Sequence, residues 1–174
     1  MFNLLKESFR MIRNINKYQS MSTEELGALG DEELRMALLT RVEFITNQFE
    51  NDAEGLQQLN EAQQIFYAAT QYEMEVNNGG LCQYFVNSSR YTAPYLVHAL
   101  EEIGAPDAAR QFATFVEENG IDVSGLSSFI LDDIDEFDEQ NERYPFDEFD
   151  DHFYESTVLE DKILRYAREH LEAL

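Results

Sequence analysis

The sequence predicts an all-α fold, a single compact multi-helix domain of about eight or nine helices. Three observations carry this. Apolar residues recur three and four positions apart through most of the chain. No segment shows strand alternation bounded by hairpin turns. Punctuation comes from "NDAEG", "NNGG", "IGAPD" and "NGIDVSG", with no internal repeat and no Pro- or Ser-rich linker. Residues 1–50 are expected to form N-terminal helices that pack on a main acidic helical body, residues 51–174.

Residues 2–18 read as an amphipathic helix, with Phe2, Leu5, Phe9 and Ile12 on one face and Lys6, Arg10, Arg13 and Lys17 on another. Such a helix docks by its apolar side and leaves a solvated basic side. A sharper alternative is contact with an acidic surface or a membrane surface. "STEE" at 22–25 is a capping box, and Asp31 is placed to cap the next helix, which runs to about Phe49 through Leu34, Leu38, Val42 and Ile45. "NDAEG" is read as a break. A long helix over 56–76 buries Leu59, Ala62, Phe66 and Ala69, and "NNGG" at 77–80 ends it. A short helix then carries Tyr84 and Phe85. Pro94 suits the first turn of a helix over 93–103, and a further helix spans 107–119. Ser124 or Ser127 is expected to cap a helix over 126–142. Pro145 interrupts the chain before helices at 147–155 and 157–173.

The charge is unusual. Thirty-five acids face 12 Lys and Arg, a net −23, while 44% of residues are hydrophobic. A core can therefore form, and the excess of acid repels nucleic acid and anionic membranes while attracting basic partners. Cys82 is the only cysteine, so neither an intrachain disulfide nor a cysteine-based zinc site can be built. No apolar run reaches the roughly 18 residues of a membrane span, and the N-terminus mixes bases with apolar residues unlike a signal peptide. The expectation is a soluble, cytoplasmic protein.

Much of the acid lies in residues 132–151, which contain Asp132, Asp133, Asp135, Glu136, Asp138, Glu139, Glu142, Asp147, Glu148, Asp150 and Asp151 against the single base Arg143. Leu126, Ile130, Ile134 and Phe137 keep helical spacing beneath them, and Phe146, Phe149 and Phe153 are placed to anchor the next helix. Carboxylates three and four residues apart on a helix are separated by roughly 4.5–6 Å of axis. B-DNA presents about one charge per 1.7 Å over both strands, so two adjacent acidic helices approach a similar density. An ordinary solvated face is the plainer reading of such a run.

Other chemistry is thin. From Asp133 a calcium-loop pattern fails at Phe137 and lacks its glycine. His152 has Glu148 and Glu155 one turn away, but no paired Glu-x-x-His elements follow. His98 reads as packed or half-exposed, and His170 as a cation at a helix end. There is no nucleophile elbow, phosphate loop or dinucleotide fingerprint. No metal, cofactor or catalytic residue is assigned.

"EVNNGGLCQYFVNSS" at 75–89 is the most distinctive string. By local chemistry, Asn77, Asn78, Gly79 and Gly80 close a helix and turn the chain. Gln83 and Asn87 are expected to bond loop backbone, and Tyr84 and Phe85 to fill the core. The string resembles the signature of a bacterial all-helical family, the DMP-type DNA-mimic proteins. "ALEEIGA" at 99–105, "FDEFDDHFY" at 146–154 and "YAREH" at 166–170 extend the resemblance over roughly residues 60–174. The resemblance implies a protein whose carboxylates stand in for phosphates and occupy the DNA-binding surface of a transcription factor or another basic nucleic-acid-binding protein. It is compatible with a homodimer, while the missing motifs argue against an enzyme and the charge argues against direct nucleic-acid or membrane binding. The acids of 132–151 would carry the contact, helped by Glu101, Glu102, Glu117 and Glu118. The alternative is an acidic interaction module, such as an immunity protein neutralising a basic partner without mimicking DNA. An enzyme or metal protein is a third and weaker reading.

Overall fold

The computed structural model describes residues 15–131, 133 and 136–174, and among these every regular element is helical. Most of the expected basic N-terminal helix, together with Asp132, Ile134 and Asp135, lies outside the described residues. The all-α expectation is met. The chain divides into two compact units: residues 15–63 with Ala167–Leu174, and Gln64–Tyr166.

In the first unit, residues 15–20 are helical and lead into the short helix Thr23–Gly27. Its capping box forms as read: the Glu25 N–H donates to Ser22 Oγ, and Glu25 accepts from the Ser22 N–H. The helix Asp31–Thr46 buries Leu34, Ala37, Leu38 and Val42. Asp31 does not cap it, because Gly30 takes that position. Asp31 instead pairs with Arg168 at 2.5 Å, which leaves the cap without a side-chain bond. Arg41 donates to the carbonyls of Tyr18 and Met21, tying the preceding turn down. The expected break at 50–55 contains a short helix, Asp52–Leu56, because Asn51 Oδ1 accepts from the Ala53 N–H and supplies a cap. Asn60 and Gln63 then bond reciprocally, which starts the helix at Glu61 rather than at 56 as its apolar pattern suggests.

That helix is two helices joined at a kink. Gly79 (φ −163°, ψ 26°) and Gly80 (φ 80°, ψ 177°) leave helical geometry, as the "NNGG" signal required, and helical structure resumes through Val86. The second unit is built around the aromatic residues on either side. The Tyr72 ring meets Tyr84, Phe112 and Phe153 edge-on, with centroids 5.4, 5.8 and 5.6 Å away. Phe85 packs on Phe129 at 4.9 Å and also touches Phe112 and Phe146. Such pairs contribute roughly 0.5–1.5 kcal/mol each beyond area burial.

Helices Ala93–Glu102 and Pro106–Glu118 form the expected helix-turn-helix, each with proline in its first turn. Gly104 (φ +79°) turns the chain between them, with the Ala105 N–H returning to the Leu100 carbonyl at 2.7 Å. The helix expected over 126–142 is not continuous. A 3-10 turn covers Leu126–Phe129, Ile130 is extended (φ −79°, ψ 115°) and 53% exposed, and among the described residues α-helix spans Glu136–Glu142. Phe129, rather than Ile130, is the buried residue. Stacked like charges oppose the helix locally, so the packing of Phe129 decides where the chain bends. Neither Ser124 nor Ser127 caps a helix here; Ser124 bonds Asp122 through both its N–H and its hydroxyl, and Gly125 precedes the 3-10 turn. The helix Phe146–Ser156 buries Phe146, Phe149 and Phe153 as expected, and Glu160–Glu169 follows.

Candidate functional site

Two short helices in the second unit carry exposed acids of residues 132–151. Burying Phe146, Phe149 and Phe153 at i, i+3 and i+7 forces Asp147, Glu148 and Asp151 outward, and all three are exposed. On the preceding helix, Glu136, Asp138, Glu139 and Glu142 are exposed around the buried Gln140, and Asp133 is exposed just before it. The side chains of Asp138, Glu139, Glu142, Asp147, Glu148 and Asp151 make no hydrogen bond or ion pair among the described residues. Glu101, Glu102, Glu117 and Glu118 are exposed as well.

The basic side chains of this unit explain why the acids stay uncompensated. Lys162 Nζ donates to the Gly104 carbonyl at 2.5 Å, and Arg165 donates to the Ile103 carbonyl at 3.0 Å. Both serve the C-terminal end of the Ala93–Glu102 helix, where cations suit orphan carbonyls. Arg90 donates to the Val86 and Asn87 carbonyls, and Arg143 to Gln140 Oε1. Among the described Lys and Arg residues of this unit, only Arg110 pairs with a carboxylate, Asp107 at 3.0 Å. A cation bound to a carbonyl is not held against an acid, so the negative field of the surface persists.

Asp150 is placed differently from its neighbours. It turns into the unit, where its Oδ1 accepts the Leu81 N–H at 2.8 Å. Its other oxygen lies against the Cα of Gly80, where a Cβ would collide with the carboxylate. Burial pushes the Asp150 carboxyl up to about 6 against the pull of the Leu81 N–H, and Asp147 and Asp151 add to the rise. The Tyr154 hydroxyl donates to the Val76 carbonyl at 2.6 Å just before the same turn. Asp150 thus clasps the acidic helix to the "NNGG" turn. Sequence reasoning grouped it with the surface acids because nothing local separates it from Asp147 or Asp151; the paired glycines 70 residues away were the available hint.

The rest of the motif is internal chemistry. Tyr84 and Phe85 are fully buried, and the Tyr84 hydroxyl shares a hydrogen bond with Thr92. Gln83 and Asn87 do not bond loop backbone. Both donate to Glu75 Oε2, at 2.6 and 2.9 Å, across the kink. A carboxylate accepts a stronger bond than a carbonyl, and the kink brings Glu75 within reach. Asn77 donates to Glu73 Oε1 at 2.9 Å, and Asn78 is exposed. Cys82 is buried, and burial lifts its thiol to about 12. His98 is exposed rather than packed. Among the described residues no group of His, Cys, Asp and Glu is placed to hold a metal ion, and no helix is long and apolar enough to cross a membrane.

One open groove of about 720 Å³ runs between the Pro106–Glu118 and Phe146–Ser156 helices. Phe115, Phe149 and Leu159 line it, with Glu118 on one wall and Glu148 on the other. The fold therefore does bring acids of the two segments onto one feature.

A family model described as DMP19-like protein matches residues 57–170. No curated protein and no solved structure matches the chain.

Proposed function

Because the chain belongs to the DMP19-like protein family, we propose that it is an acidic DNA mimic, which binds a basic DNA-binding protein and occupies its DNA-binding surface. The observation that carries this reading is the set of exposed carboxylates Asp138, Glu139, Glu142, Asp147, Glu148 and Asp151, whose side chains have no partner among the described residues, while Lys162 and Arg165 of the same unit are held by backbone carbonyls. Asp133, Glu136, Asp138, Glu139, Glu142, Asp147, Glu148 and Asp151 are the phosphate substitutes in this reading, with Asp132 and Asp135 added from the sequence. Asp150 supports the face from within. Such a protein works by occupancy, needs no catalytic group, and acts in the cytoplasm where its partner meets DNA. Two such chains in a homodimer would extend the acidic surface.

The second reading, a shape-specific acidic module that blocks a basic partner without imitating DNA, draws on the apolar groups beside the acids. Tyr154 is 53% exposed and Val158 68%. Aromatic and aliphatic anchors are what a shape-read interface uses.

The experiment is capture from bacterial lysate at low and moderate salt. The bait is the parent protein, or a variant with Asp132, Asp135, Glu136, Glu139, Glu142 and Asp147 changed to Asn or Gln. Capture of DNA-binding proteins by the parent alone, reversed by added duplex DNA, supports the mimic. Capture that duplex DNA cannot reverse favours the shape-read module. Identical capture by both baits overturns the acidic face as the contact.

A further inference from the structure

The groove between the Pro106–Glu118 and Phe146–Ser156 helices is lined by the edges of the largely buried Phe115, Phe149 and Leu159, by Val158, which is 68% exposed, and by the acids Glu118 and Glu148. An apolar strip of this kind inside a strongly acidic surface is not required by phosphate imitation, which charge alone satisfies. The two bases that line the groove are already engaged: Lys162 on the Gly104 carbonyl and Arg110 on Asp107. The side chains of Glu118 and Glu148 make no hydrogen bond or ion pair among the described residues. The groove therefore offers hydrophobic contact and unsatisfied negative charge on both sides.

We infer that this groove takes a basic amphipathic helix of the protein partner, with apolar side chains on Phe115, Phe149 and Val158 and Lys or Arg against Glu118 and Glu148. The inference rests on the mimic reading above and specifies the partner's contribution to it. A helix is the fitting occupant for two reasons. It satisfies its own backbone hydrogen bonds, which an apolar lining cannot do. The walls are themselves helices, and the described residues offer no strand edge for an extended segment to pair with. A third helix laid in the groove between two others is ordinary ridge-in-groove packing.

The test uses the whole protein and two synthetic peptides of about 16 residues. One has Leu at i, i+3, i+4 and i+7 with Lys elsewhere; the other is its scramble, with equal charge and no apolar face. Two protein variants accompany the parent. Val158→Glu removes an exposed apolar contact while adding negative charge. Thr114→Trp fills the groove from an exposed lining position. Titration calorimetry is expected to show the amphipathic peptide binding the parent about tenfold more tightly than the scramble, with that preference lost in both variants. A purely electrostatic contact would instead bind Val158→Glu as tightly as the parent or more so, and the scramble equally well. Either result overturns the groove. If that happens while DNA-reversible, acid-dependent capture persists, the mimic reading survives without it; loss of that capture would count against the mimic itself.

Discussion

Replacing Asp150 by Asn tests the clasp between the acidic helix and the "NNGG" turn. Asp150 has an ordinary carboxyl value of 3.8 and is pushed up to about 6 in the folded chain. The native state thus holds its proton more tightly than the unfolded state. The stability this confers is fully present below about pH 4 and is lost as pH rises through 6. A shift of this size corresponds to roughly 3 kcal/mol if the group were fully sealed from water, at about 1.4 kcal/mol per unit. Asp150 is only half-buried, and solvent screening brings the expected effect to about 1–2 kcal/mol. The Asn side chain keeps an oxygen for the Leu81 N–H and has no charge to lose. Urea unfolding at pH 4 and pH 7 should show the parent losing about 1–2 kcal/mol relative to Asp150→Asn between the two conditions. Subtracting the two proteins removes the general repulsion among the other acids, which both share. Parallel stabilities at the two pH values, or a parent that gains on the variant as pH rises, would refute the reasoning.

Gly80→Ala is expected to cost about 2–4 kcal/mol in the same assay, because Gly80 has φ 80° and ψ 177° and its Cβ would displace Asp150 from Leu81; an unchanged midpoint would contradict the clasp. Phe85→Ala empties the centre of the aromatic core, where Phe85 meets four other rings, and should lower stability by about 3–5 kcal/mol. Cys82, buried with its thiol raised to about 12, should resist iodoacetamide at pH 8 in the native protein and react fully in denaturant; rapid native labelling would show that the kinked helix opens. Ser22→Ala removes one half of the capping box and should cost about 1 kcal/mol, read as a lower urea midpoint.

The helical class was legible because apolar spacing and glycine or proline punctuation pointed the same way at most positions. The "NNGG" turn, the proline-led helices and the three phenylalanines of 146–153 follow from local rules that the packing did not oppose. The misplaced boundaries have tertiary causes. Asp31 resembles a cap until Arg168, distant in sequence, takes it. Ile130 fits a helical stripe until Phe129 claims the core beside Phe85. The acidic face was visible as a run of letters, but its exposure and lack of counter-charge depend on where Lys162 and Arg165 reach, and the sequence does not encode that locally. Asp150 and Glu75 were missed as internal acceptors for the same reason: a carboxylate in an acid-rich segment looks like every other until the fold brings a donor to it.

Cations that serve backbone carbonyls have a thermodynamic consequence. The carboxylates of this surface must be neutralised by mobile sodium, potassium or magnesium ions, which gather around it as they do around a polyanion. A basic protein that docks there sets those ions free, so much of the driving force is the entropy of their dilution into bulk solvent. The affinity should then fall as a straight line in the logarithm of salt concentration, its slope counting the ions released. If the chain acts as the proposed mimic, raising the potassium concentration would loosen its complex without any change in either protein, making ionic strength a control on how much of the partner is free.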